Sequence, residues 1–79
     1  MEHTVIVYST PTCSWCQVAK QHLEANGIDF EDVDVTADQS RAREMVSKSG
    51  QMAVPVIDID GEIIIGFDRG RIDALLGLA

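Results

Sequence analysis

The sequence predicts an α/β fold with its elements in the order β-α-β-α-β-β-α, and three observations carry that reading. Val5, Ile6, Val7 and Tyr8 form an apolar, mostly β-branched run without alternation, as in a strand covered on both faces. Two later stretches place apolar residues at helical spacing and run into a glycine, the residue that closes helices in the left-handed conformation. Finally, Pro55 to Ile65 holds two apolar runs around Asp60-Gly61, a pair suited to the φ > 0 positions of a tight hairpin turn.

Taken in order, the first strand covers Thr4 to Tyr8, and Pro11 between Thr10 and Thr12 marks a loop. The spacing then predicts a helix from about Ser14 to Asn26. Cys16, Ala19 and Leu23 fall at i, i+3 and i+7 on its core side, Lys20 and Glu24 form a weak pair facing water, and Asn26-Gly27 supplies the left-handed cap. Ile28 to Val35 is the second strand, and its alternation slips between Phe30 and Val33, which predicts an irregularity there. Asp38 can cap a second helix of about Gln39 to Ser49, with Ala42, Met45, Val46 and Ser49 on one side and Gly50 at its end. After the hairpin, Gly66-Phe67-Asp68 breaks the strand. Asp68 can cap a last helix carrying Ile72, Leu75, Leu76 and Ala79 at i, i+3, i+4 and i+7. The opening β-α-β is expected to be a right-handed parallel unit, with the hairpin adding antiparallel strands.

Seventy-nine residues make a single domain, residues 1–79, the expected organisation, and a chain of this size buries only roughly 60% of its unfolded surface. Thirteen acidic against six basic residues, a formal charge of -7, argue against nucleic-acid or anionic-membrane binding, which needs a basic footprint. No run approaches the ~20 apolar residues of a membrane span. Met1-Glu2-His3 leads straight into a strand, without the basic start of a signal peptide. These features predict a cytoplasmic monomer, in a compartment where a disulfide is usually transient and catalytic rather than a structural staple.

Both cysteines of the chain lie in Thr10-Pro11-Thr12-Cys13-Ser14-Trp15-Cys16, between the first strand and the first helix. A Cys-x-x-Cys pair at such a junction reads as a redox motif. A helix start presents unpaired N–H groups and the positive end of the peptide dipoles. A thiol there is stabilised as thiolate, the form that attacks disulfides. The second sulfur sits about one turn on, within reach of the first. Cys13 is therefore expected to attack and Cys16 to resolve. The competing readings are idle thiols or metal ligands. A zinc site would need two more ligands, and only His3 and His22 are available. Neither has finger-like spacing, and both read as solvated.

Tyr8-Ser9-Thr10-Pro11-Thr12-Cys13-Ser14-Trp15-Cys16, then Ala53-Val54-Pro55, then Gly66-Phe67-Asp68 together resemble the glutaredoxin-like proteins of the thioredoxin superfamily, including the small dithiol and NrdH-redoxin types. The resemblance covers nearly the whole chain. It implies a thioredoxin fold, a four-stranded mixed sheet flanked by three helices, with a cis Val54–Pro55 peptide. It implies a thiol–disulfide oxidoreductase that acts as an electron carrier, reducing protein disulfides or glutathione mixed disulfides. No cofactor is required, and glutathione is a possible reductant. The backbone of Val54 would pair with the bound cysteine of glutathione or of a protein.

Glutathione-using members carry a cation three residues before the first cysteine and acids after a Gly-Gly pair. Here those places hold Thr10 and the run Gly66-Phe67-Asp68-Arg69-Gly70. The Gly-Phe pair resembles NrdH-type redoxins, which take electrons from thioredoxin reductase, so the donor is either glutathione or a reductase of that type. Some family members with a serine after the first cysteine hold a [2Fe-2S] cluster between two subunits with glutathione. Ser14 makes that dimer the alternative reading.

The candidate substrate- or glutathione-binding set is Tyr8, Thr10, Pro11, Thr12, Trp15, Lys48, Gln51, Val54, Pro55, Phe67 and Asp68. Several have a plainer reading beside the functional one. Tyr8 lines the site or packs the core. Thr12 bonds the loop or the Cys13 sulfur. Trp15 is a contact platform or a partly packed aromatic, and Phe67 a wall for a partner or packing for the last helix. Asp68 caps that helix or meets glutathione. Lys48 and Gln51 meet a carboxylate of glutathione, or belong with Arg41 and Arg43 to a solvated face.

Overall fold

A computed structural model describes residues 3–78. The expectations placed on Met1-Glu2 and on Ala79 in the last helix lie outside the described residues. Strand β1 (Val5–Ser9) leads into helix α1 (Ser14–Ala25), then β2 (Glu31–Asp34), α2 (Gln39–Ser49), β3 (Val56–Ile59), β4 (Glu62–Ile65) and α3 (Arg69–Leu76). The strands form one sheet in the order β2-β1-β3-β4. Strand β2 runs parallel to β1, while β3 is antiparallel to both β1 and β4. The sheet is therefore mixed and four-stranded, with three helices, as the resemblance implied.

Burial follows the strand order. The inner strand β3 is buried at all four positions, whereas the outer strands β2 and β4 each bury one residue. Alternate residues of the inner strands feed two separate cores. Val5, Val7, Ile57 and Ile59 join Ala19, Leu23, Ile64, Ile72 and Leu76 on the face covered by α1 and α3. Tyr8 and Val56 join Val33 and Met45 on the face covered by α2.

The helix ends follow their caps. The Asp38 side chain accepts from the Ser40 and Arg41 amides, and Asp68 accepts from the Arg71 amide. In the hairpin, Asp60 and Gly61 both have positive φ, 52° and 90°, as a two-residue turn of this hand requires. The Asp60 side chain also accepts from the Thr4 amide at 2.8 Å and meets the His3 ring at 2.6 Å.

Four expectations need correction. Asn26 is not left-handed (φ -99°), and Gly27 alone takes that conformation. The second strand starts at Glu31 rather than Ile28, because the Ile28 amide is taken by the Leu23 carbonyl at the close of α1. Ile28 and Phe30 serve as packing for the α1/α3 core instead. Lys20 pairs with Asp32 across the helix–strand interface at 3.0 Å, not with Glu24 along the helix. Finally, His3 and His22 are each bonded to a carboxylate, Asp60 and Asp73, so neither is simply solvated.

The polar face of α2 is also tied down. Lys48 Nζ donates to the Tyr8 hydroxyl oxygen at 2.7 Å and to Asp58 Oδ2 at 2.8 Å, and lies 5.2 Å from the centre of the Tyr8 ring. Tyr8 in turn donates to Glu44, and Arg41 bridges Glu44 and Glu31. Asp58 is buried, so its charge needs these partners; its other oxygen accepts from the Gly61 amide at 2.8 Å. Burial first, and then the bond to Glu44, hold the Tyr8 hydroxyl above its ordinary value. The bond from Tyr8 does most to hold the Glu44 carboxyl below the usual carboxylate range. Burial alone would lower Lys48, but its bonds to Asp58 and Tyr8 outweigh that and raise it.

Candidate active site

The register of the sheet gathers three distant loops at one end. Tyr8 pairs with Val56, and Val56 with Ile65. The segments that follow β1, precede β3 and follow β4 therefore leave the sheet side by side. They carry Thr10 to Cys13, Gln51 to Pro55, and Gly66 to Asp68.

Cys13 is the N-cap of α1. Its backbone is extended (φ -88°, ψ 109°), its carbonyl accepts from the Gln17 amide, and its Sγ accepts from the Cys16 amide at 3.1 Å. A sulfur atom thus does what a Ser or Asp oxygen usually does at a helix start. The first turn of α1 contains no acidic residue, so although the chain is strongly acidic, nothing in that turn opposes negative charge on the sulfur. Cys13 is partly accessible, whereas Cys16 is fully buried on the core side of the helix. The two sulfurs face each other as a disulfide-capable pair, with Cα atoms 5.2 Å apart. The buried member has access to its partner sulfur while the outer member faces solvent.

Beside the pair is an open groove of about 260 Å³ lined by Trp15, Val54, Pro55, Gly66 and Phe67. The Val54–Pro55 peptide is cis, and the Pro55 carbonyl accepts from the Gly66 amide at 2.9 Å, joining two of the three loops. Trp15 is 62% exposed and stacks on Phe67, with ring centroids 6.3 Å apart and planes 26° from parallel. Among the described residues, no charged side chain lines this groove. A larger hollow of about 650 Å³ between α1 and β2 is lined mainly by polar residues and holds neither cysteine.

Of the residues proposed from sequence, the structure brings Trp15, Val54, Pro55 and Phe67 together at the groove, with Thr10, Pro11 and Thr12 in the loop leading to Cys13. Tyr8 lies elsewhere. It is fully buried on the α2 face, with its hydroxyl bonded to Glu44 and Lys48. Lys48 is drawn to the same network and to Asp58, so its charge is already matched. The Gln51 backbone N–H donates to the Ser49 hydroxyl and its backbone carbonyl accepts from it at the end of α2, and Asp68 caps α3. The sequence reading took His22 as solvated and passed over Asp73. Their side chains meet at 2.6 Å, and the His22 and Phe67 rings form a T-shaped pair with centroids 5.6 Å apart. They are 51 residues apart in the chain, and no local pattern links them.

A mixed sheet with a helix-capping dithiol beside a cis-proline defines a thioredoxin-fold thiol–disulfide exchange protein. Comparisons with known proteins narrow the class. The glutaredoxin family model matches residues 5–64. A glutaredoxin-like 8.6 kDa protein from a rubredoxin operon of Clostridium pasteurianum is 51% identical over 70 residues, covering 89% of this chain and 93% of that one. Glutaredoxin 3 of Escherichia coli is 34% identical over 79 residues, covering 91% and 95%. Among solved structures, a mutant of the thioredoxin-like protein BC3987 superposes with a TM-score of 0.91 at 28% identity, covering 96% and 97% of the two chains. Methanoredoxin of Methanosarcina acetivorans gives 0.82 at 31% identity, covering 94% and 84%. The chain belongs to the glutaredoxin family and is a thiol–disulfide oxidoreductase.

Proposed function

We propose that this protein reduces disulfides in other proteins, and that it is recharged by a thioredoxin-reductase-type donor rather than by glutathione. The observation that carries the reading is the uncharged groove of Trp15, Val54, Pro55, Gly66 and Phe67 beside a helix-capping Cys13. Glutathione brings two carboxylates and an ammonium group, which need ionic partners if they are to be held. Thr10 offers no charge, and the cations Lys20 and Lys48 are paired with Asp32 and Asp58.

In the proposed cycle, the Cys13 thiolate attacks one sulfur of the target disulfide. A Cys13–target bond forms, the target bond breaks, and the second target sulfur leaves as thiolate. Cys16 then loses its proton and attacks Cys13 Sγ, releasing the first target sulfur and closing the Cys13–Cys16 bond. Two electrons have passed to the target, and a donor dithiol returns them by the same exchange in reverse. Cys13 and Cys16 are the catalytic pair. The backbone of Val54 is the proposed rest for the bound segment, and the chain works as a single domain in the cytoplasm.

An NADPH-oxidation assay on insulin tests this in two arms, one with thioredoxin reductase alone and one with glutathione and glutathione reductase. Turnover in the first arm and little in the second is expected. Turnover confined to the glutathione arm would overturn the donor assignment, and turnover in neither would overturn the activity on protein disulfides.

A further inference from the structure

Phe67 is one wall of the groove. It sits in the short connection Gly66 to Asp68 between β4 and α3, directly after a glycine at φ 79°. Two rings hold it. Trp15 stacks on it from the first turn of α1, and His22, further along the same helix, meets it in a T-shaped arrangement at 5.6 Å and 73°. Edge-to-face geometry of this kind is favourable only in a defined mutual orientation of the two rings. That orientation is set by Asp73 on α3, whose Oδ1 lies 2.6 Å from His22 Nε2, with both side chains largely buried. Asp73 is itself steadied by Arg69 at 3.7 Å from its other oxygen. Burying two polar side chains at an otherwise apolar helix–helix contact is costly unless they bond to each other, and an aliphatic pair would fill the space without that constraint. What the polar pair adds is direction: it fixes the plane of one ring, and through it the place of the next.

We propose that His22 and Asp73 are positioning residues that hold Phe67 as a fixed wall, so that the groove selects targets with an aromatic or branched apolar side chain next to the reactive cysteine. The idea rests on the protein-disulfide reading above and adds the partner's local chemistry to it. An apolar side chain would lie in the groove against the stacked Trp15 and Phe67 rings while its neighbouring cysteine lies against Cys13. A glycine in that place would leave the groove empty.

The test uses two hexapeptides, each with one cysteine in mixed disulfide with 2-mercaptoethanol, one bearing Phe and the other Gly beside that cysteine. Oxidation of the dithiol protein is followed through Trp15, the single tryptophan of the chain. The unmodified protein is expected to prefer the Phe peptide by about three- to tenfold, the scale of one aromatic contact, through half-saturation rather than maximal rate. His22→Ala should bring the ratio close to one, and should have no further effect in a Phe67→Ala background. Asp73→Ala, which frees the imidazole from the other side, should act in the same direction and serves if His22→Ala folds poorly. An unchanged ratio in both variants, or a His22→Ala effect that persists without Phe67, would overturn the positioning role while leaving the reductase intact. Failure of the unmodified protein to react with either peptide would overturn both.

Discussion

The two faces of the sheet are built on different principles. The face under α1 and α3 has a core of nine buried apolar residues from Val5 to Leu76, with one polar pair, His22 and Asp73, bonded between its helices, and the helix that carries the dithiol lies on it. The face under α2 has a smaller buried core, Tyr8, Val33, Met45 and Val56, with Ile6, Val35, Val46, Val54 and Ile63 partly buried against it, and it adds the paired network of Tyr8, Glu44, Lys48 and Asp58. One face is held by area removed from water, which is non-directional and tolerant. The other depends on charges that are harmless only while every partner is present. The reactive helix therefore rests on the robust side, and the side that responds to pH and to single charge changes lies across the sheet from it.

The largest expected effect comes from breaking the apolar face. Leu23→Ala, at a fully buried position of α1, is expected to cost about 2–5 kcal/mol in urea unfolding, a large share of the ~5–10 kcal/mol that holds a small domain together. A loss well below that range would mean that the α1/α3 core is less tightly packed than described. Breaking the other face should cost less. Lys48→Met strands the buried Asp58 carboxylate and should cost about 1–3 kcal/mol. Adding Asp58→Asn keeps an acceptor for the Gly61 amide and removes the orphaned charge, so it should return most of that loss. Additive losses in the double variant would contradict the paired-charge description.

A smaller effect should appear in the pH dependence of the oxidised protein. The folded value of Tyr8 is raised above its ordinary 10.0, and that of Lys48 above 10.5. Their contribution is therefore complete below pH 10 and fades as pH rises through the folded values. Glu44 is depressed below 4.5, so its contribution is present above that pH and fades as pH falls. Tyr8→Phe should flatten both limbs of the curve, read by urea unfolding across pH. A curve identical to that of the unmodified protein would place the titrating groups elsewhere. The smallest effect is expected for Arg41→Ala, whose partner Glu31 is exposed, and that effect should disappear at high salt.

The same contrast explains what was legible in the sequence. The β1 run, the Asp38 and Asp68 caps, Gly50 and the Asp60-Gly61 turn are local signals, because each residue's preference and its partner lie within a few positions. The dithiol was legible for the same reason: two sulfurs three residues apart at a helix start declare their geometry. The α2 network was not. Asp58 read as one more residue of a hairpin, and Lys48 as part of a solvated face, until the sheet placed them 2.8 Å apart. Tyr8 could have faced the site or the core from its position in the strand, and only the packing of α2 decides for the core. The short second strand likewise depended on which amides the end of α1 had already taken.

The central claim is that the N-cap position makes Cys13 an ionised nucleophile, and the most direct measurement is its rate of alkylation by iodoacetamide across pH in reduced Cys16→Ser protein. The account predicts half-maximal reactivity clearly below the ~8.5 of a free cysteine, because the α1 amides stabilise the sulfur anion. A midpoint at or above that value would contradict it.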